Sequence, residues 1–307
     1  MDHSQTAFLL QIADGYAFRN TMTIIRNETD YATMILSPNQ IEISFTNRGN
    51  YAIHKITIRT AELTAYHYNI RDDFGELLPE YPIAFASDEM LNTTKPIGRR
   101  DGLLMYWIPG TNHISVQASK SKETGRAGAA FVTILNQEHT RHQTPNVYSA
   151  EPNVRVEAKA FGDLCAAAQG LKCSYVDIVG YPSSVTFKSM MSNGALAAIN
   201  NFKKANDGAA PVPSMANNIH EITQRLELMR VDQPAGPRLS LNVMRQEDLT
   251  TIRVPIATVK ALSKIHNISP QGTLLRFYFA ENHPTKIESS IGTFGLYTVC
   301  LRNQRSQ

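Results

Sequence analysis

Two stretches of this chain share one layout, and that duplication limits the fold more than any other feature. SPNQIEISFTNRGNYAIHKITI (37–58) opens on a proline, enters a β-rich run, turns at Asn-Arg-Gly and resumes an apolar run. YPSSVTFKSMMSNGALAAINNF (181–202) does the same with Ser-Asn-Gly. The spacing continues outside them. Phe18 to Pro38 is about as far as Phe161 to Pro182, and Leu91 to Gly102 is close to Leu262 to Gly272. A repeat longer than about 100 residues indicates a duplicated domain rather than a solenoid.

Each copy reads as many short strands with two helices. In the first, alternating or β-branched runs predict strands at 6–14, 31–37, 41–47 and 51–60, with further extended chain at 64–70 and 81–86. A helix is expected over 15–29, where Arg19, Thr23 and Arg26 share a face. A second is expected over 87–95, with Ser87 as its N-cap and Pro96 as its stop. A hairpin and a closing strand, GAAFVTILN, complete the copy. The polar, proline-containing stretch 137–153 reads as a linker. The second copy repeats the order, with helices expected at 161–173 and 257–267. A polar tract at 203–238 interrupts it, and within that tract 217–229 reads as a helix or a bulged strand. The expected division is therefore 1–136, a connecting loop at 137–153, and 154–307.

Composition excludes several classes. The 307 residues are 42% hydrophobic and 19% charged, which suits a globular chain with a sizeable core. A net charge of +3 is not the bulk basic signature of a tail-driven nucleic-acid binder, so DNA-facing charge would have to be local. Three cysteines, Cys165, Cys173 and Cys300, form no CxxC and fit a reducing compartment. No signal segment or membrane span is expected. No phosphate-loop, dinucleotide, nucleophile-elbow or HExxH motif is present. His139 and His142 lack the further ligands of a metal site, Asp72, Asp73 and Glu76 read as a turn, and Cys165 reads as core. No enzyme, metal or cofactor is expected.

The residues resemble the PCNA-type DNA sliding clamp. IEISFTNRGNYAIHKITI is similar to that family's strand, central loop and strand. AFVTILNQEHTRHQTPNVYSAEPNVRVEAKAFGDLC resembles the end of a first clamp domain, its connecting loop and the start of the second. ATVKALSKIHNIS and ENHPTKIESSIGTFGLYTVCLRN resemble the final helix and closing hairpin, with Pro284 in the expected place. The likeness spans nearly the whole chain outside 203–238, and its divergence suggests a large DNA virus.

The resemblance implies an α+β duplicated clamp fold. Antiparallel sheets form the outside, four short helices line a central channel, and three two-domain protomers close a ring around duplex DNA. Such a ring needs only weak, sequence-independent phosphate contacts. Candidates for these are Arg19, Arg26, Lys95, Arg99, Arg100, Lys159, Lys172, Lys260 and Lys264, whereas Glu89 and Asn92 stand where clamps often carry lysines. A partner groove for DNA polymerase and other replication or repair proteins would use Thr46, Asn50, Tyr51, Ile53, Val147, Tyr148, Pro284, Val299 and Leu301. For Ile53, Val299 and Leu301 plain core burial is the competing reading. Closure is expected by addition of the AAFVTIL strand to a neighbour's edge near LCAAAQ…YVDIVGY. The implied location is intracellular, at sites of DNA replication. Alternatives are an open monomeric or dimeric clamp, a clamp-derived transcription or scaffold protein, and an unrecognised enzyme.

Overall fold

A computed structural model describes residues 6–119, 129–136, 142, 144–203 and 249–302. His139, most of the tract 203–238 and the expected helix at 217–229 lie outside the described residues.

The first half runs β1 (Phe8–Ile12), α1 (Gly15–Glu28), β2 (Tyr31–Leu36), β3 (Gln40–Thr46), β4 (Ala52–Arg59), β5 (Ala65–Tyr68), β6 (Tyr81–Ala86), α2 (Ser87–Thr94), β7 (Gly102–Trp107), β8 (His113–Ser119) and β9 (Ala130–Thr133). The second runs β10 (Val154–Glu157), α3 (Ala158–Gly170), β11 (Tyr175–Gly180), β12 (Ser184–Met190), β13 (Leu196–Lys203), β14 (Thr250–Pro255), α4 (Ile256–Leu262), α5 (Ile265–Ile268), β15 (Leu274–Tyr278), β16 (Thr285–Ile291) and β17 (Gly295–Leu301). The two rhyming stretches are the hairpins β3–β4 and β12–β13.

Three antiparallel sheets result. One has the order β5-β1-β7-β8-β9 and another β13-β12-β11-β14. The third, β10-β15-β16-β17-β4-β3-β2-β6, takes four strands from each half. Its seam is the β17–β4 pair, seven residues in unbroken register from Gly295↔Ile58 to Leu301↔Ala52. Period-two alternation sends Ile41, Ile43, Phe45, His54, Ile56, Tyr297 and Val299 to the face that meets the helices. Those helices form one layer: α2 packs on α1, α1 on α4 and α5, and these on α3.

Local chemistry sets the helix ends. Asp14 caps α1 by accepting the Ala17 N–H at 2.9 Å. A Cβ at Gly15 would meet the Gly102 backbone at 2.7 Å, so the close start of α1 requires glycine. Two expectations need correction. Ser87 is the first residue of α2 rather than its cap: the extended Ala86 holds the cap position with no side-chain bond to offer, and the Ser87 N–H donates to the Asp30 carbonyl. The helix expected over 257–267 divides into α4 and α5, where the Ser263 hydroxyl donates back to the Lys260 carbonyl at 2.7 Å. A third correction concerns ring closure. β11 is paired on both sides, by β12 and β14, and LCAAAQ lies in α3, so neither offers an edge. Among the described residues the edges of that sheet are β13 and β14.

The seam buries a polar cluster. His54 Nδ1 lies 2.6 Å from the Tyr297 hydroxyl, its ring stacks on Phe45, and its Nε2 is 3.8 Å from the Glu28 carboxylate at the end of α1. Burial pushes the Glu28 carboxyl from 4.5 up to about 7 and the His54 ring from 6.5 down to about 3. Folded Glu28 thus keeps a proton that the unfolded chain releases, and its contribution to stability falls as pH rises from 4.5 to about 7. His54 works in the opposite sense, costing stability as pH falls from 6.5 toward about 3. Glu28→Gln should therefore gain little over the parent at about pH 5 and about 1–3 kcal/mol at about pH 8 in urea unfolding. An advantage that does not change with pH would show that Glu28 is not buried as described.

Candidate nucleic-acid interface and partner groove

The outward stripe of α1 is Tyr16, Arg19, Asn20, Thr23, Arg26 and Asn27, spaced as one helical face that points away from the sheets. Arg19 is fixed in place: its Nη1 donates to the Ile97 carbonyl at 2.9 Å and its guanidinium lies 5.5 Å from the Tyr16 ring. Arg99, just after α2, approaches the same ring from 5.9 Å. Hydrogen bonds from Arg99 and then Asn20 hold the Tyr16 hydroxyl below its usual range. Two guanidiniums are thereby gathered around one aromatic ring.

The other basic candidates are less uniform. Arg26 forms an ion pair with Asp88 of α2 at 2.6 Å, which offsets much of its charge toward a third partner. Lys95 donates to the Asn92 side chain at 2.7 Å. Arg100, Lys159, Lys172 and Lys260 are exposed, and Lys264 is half-buried at the break between α4 and α5. Lys159 shares its helix with Asp163 one turn on, so α3 presents almost no net charge. Lys172 sits past the end of α3 with φ of 54°, ending the helix. Across the layer, Asn20 of α1 donates to the Asn267 carbonyl of α5 at 3.0 Å, linking the two halves. Glu89 is not part of this outward face, because its carboxylate is bound to Thr133 of β9.

The opposite face of the large sheet carries a second surface. Register aligns Thr46, Ile53, Cys300, Lys286 and Tyr278 as one row across β3, β4, β17, β16 and β15. The connecting segment crosses this row. Tyr148 donates to the Pro284 carbonyl at 2.7 Å, its ring stands 6.4 Å from Tyr278, and the Lys286 ammonium lies between them, 5.0 Å from one ring and 3.9 Å from the other. Val147 beside it is exposed.

Thr46, Ile53, Tyr148 and Pro284 are therefore brought together, but three expected groove residues are not. Val299 and Leu301 fall one step out of phase with Cys300 and are buried with the core. Tyr51 turns toward the helices: its ring packs on the core and its hydroxyl accepts from Thr258 at the start of α4. Asn47 holds this loop, accepting the N–H groups of Tyr51 and Ala52 at 3.0 Å each. Asn50 is exposed at the loop tip with φ of 57°. Cys300, Lys286 and Tyr278 share the row with Ile53, with Cys300 itself fully buried, and strand parity applied to GLYTVCL is the sequence signal that separates Cys300 from its neighbours.

Among the described residues no group of three or more His, Cys, Asp or Glu could hold a metal ion. Asp72 accepts the N–H groups of Phe74 and Glu76, which makes RDDFGE a closed turn. Cys165 is buried, and burial pushes its thiol well above the ordinary range. No described helix is long and apolar enough to cross a membrane.

No family model and no curated protein sequence matches the chain. Solved structures do. PCNA from Entamoeba histolytica matches with a TM-score of 0.67 at 9% identity, covering 97% of this chain and 98% of its own. PCNA from Thermococcus kodakaraensis gives 0.66 at 12% identity, covering 96% and 99%. The PCNA2–PCNA3 complex from Sulfolobus tokodaii gives 0.62 at 11%, covering 96% and 99%. These are cellular organisms, and none of the matches supports the viral origin that sequence divergence suggested. Over essentially its whole length, the chain has the fold of the PCNA-type clamp.

Proposed function

We propose that the chain is a non-enzymatic sliding clamp that encircles duplex DNA and tethers a DNA polymerase and other replication or repair proteins. The observation that carries this reading is the full-length clamp fold, with its helices gathered in one layer on one side of the sheets. The division into 1–136, a connecting loop at 137–153, and 154–307 belongs to the same reading. So does ring closure into a homotrimer. Within the chain, the last strand of the second half, β17, pairs with β4. The corresponding strands left at the ends are β9 and β13, and among the described residues both are sheet edges. Pairing β9 of one protomer with β13 of the next would repeat the internal seam between molecules.

In such a ring the phosphate contacts would be Arg19 and Arg99 around Tyr16, with Lys264, Lys260, Lys159, Lys95, Arg100 and Lys172 as weaker contributors and Arg26 muted by Asp88. The partner groove would be the row from Thr46 to Tyr278, bordered by Tyr148, Val147 and Pro284. The brevity of β9, four residues against seven in its counterpart β17, favours a second reading: an open monomeric or dimeric clamp that holds DNA by charge.

Two experiments test the proposal. The assembled protein should stay on closed circular DNA and leave it when the circle is cut, and Arg19→Ala with Lys264→Ala should weaken DNA association without changing the assembled mass. Equal retention on circular and linear DNA, lost steeply with salt, would favour the open form instead. For the groove, Tyr148→Ala should weaken binding of an aromatic-anchored clamp-binding peptide at least tenfold, the loss of one buried aromatic anchor being on the order of 1.4 kcal/mol or more. Undiminished peptide binding would place the groove elsewhere.

A further inference from the structure

Among the described residues β9 ends its sheet and pairs only with β8, so half of its main-chain groups should be open to a new strand. The ladder shows which half. Ile134 N–H donates to the Asn112 carbonyl, so residues of that parity face β8, while Phe131 and Thr133 turn their N–H and C=O groups outward.

Those outward groups are already occupied by the chain's own second helix. Glu89 of α2 grips Thr133 at two points: one carboxylate oxygen accepts the backbone N–H at 3.1 Å and the other accepts the side-chain hydroxyl at 2.9 Å. One helical turn on, the Thr93 hydroxyl reaches the Phe131 carbonyl at 3.5 Å, a weaker contact. The next outward group along the strand, the Leu135 N–H, donates to the Ala84 carbonyl of β6. One main-chain group at each of three consecutive outward positions, the Phe131 carbonyl and the Thr133 and Leu135 N–H groups, is thus engaged from within the same half of the chain. The internal seam is different, because there β4 gives its whole edge to β17.

We propose that Glu89 and Thr93 form a removable cap on β9, which engages the Thr133 N–H and the Phe131 carbonyl of this edge in a single protomer and is surrendered when a second copy of the chain adds a strand there. The inference rests on the ring-forming reading given above. Strand addition exchanges a charge-assisted hydrogen bond for a neutral one, so the cap stabilises the separate protomer relative to the ring. It also leaves less of the strand edge bare when a ring opens, which guards the separate protomer against unspecific edge-to-edge pairing.

Sedimentation velocity of the full chain over a concentration series tests this. Glu89→Ala should assemble at about tenfold lower concentration than the parent, the equivalent of about 1.4 kcal/mol for one charge-assisted bond. Thr93→Val should shift assembly the same way by less. Glu89→Gln, which keeps an acceptor for Thr133, should fall between parent and Glu89→Ala. A variant that merely damaged α2 would need a higher concentration, so the sign separates the two explanations. Assembly of the parent with an unchanged or raised midpoint for Glu89→Ala overturns the cap and leaves the ring standing. Monomers at every concentration for both proteins, together with no retention on circular DNA, overturn the ring reading and the cap with it.

Discussion

The pairing of β17 with β4 is the interaction on which the rest of the structure depends. It joins strands from opposite ends of the chain and turns two four-stranded sets into one eight-stranded sheet. Because side chains alternate along a strand, this single register also decides what each face carries. Toward the helices it delivers His54, Tyr297 and Val299, which close the core against the end of α1. Away from them it delivers Ile53 beside Cys300, with Thr46 on one flank and Lys286 and Tyr278 on the other. A slip of one residue would exchange the faces, placing Val299 outside and Lys286 against the core. Seven continuous pairs and a buried polar cluster at the seam make that slip costly.

Much of this was legible in the sequence, where local periodicity and turn residues carry the information. The β3–β4 and β12–β13 hairpins stand out because proline, an alternating run and an Asn-Gly-rich turn recur in the same order. The helix at α1 could be read from the spacing of Phe18, Met22 and Ile25, and the connecting segment from its polarity. What was not legible depends on contacts between elements distant in sequence. Nothing near Arg26 announces Asp88, and nothing near Glu89 announces Thr133. Tyr51 looks like a free aromatic in a polar loop until Thr258, more than 200 residues on, donates to its hydroxyl. Val299 and Leu301 follow a simpler rule: of the two readings open to them, the core takes them, because strand parity turns them toward the helices and Cys300 to the opposite face.

Charge follows the same logic of placement over quantity. A net charge of +3 says little about DNA, yet the helix layer draws Arg19 and Arg99 together around Tyr16 while α3 stays close to neutral. Phosphate contact in a ring would then fall mainly on the first half of each protomer, with Lys260 and Lys264 nearest to it across the α1–α5 contact. A topological hold on DNA tolerates such uneven lining, because the ring keeps its track without tight binding at every helix. A clamp that relied on charge alone would not.

The central claim is that copies of this chain repeat the β17–β4 seam between molecules through β9 and β13. Single-particle electron microscopy of the full chain at an assembling concentration tests it most directly. The account predicts closed rings in which β9 of each protomer lies antiparallel beside β13 of the next, with the helix layer facing the central hole. Particles that remain single protomers, or that associate through any other pair of surfaces, would contradict it.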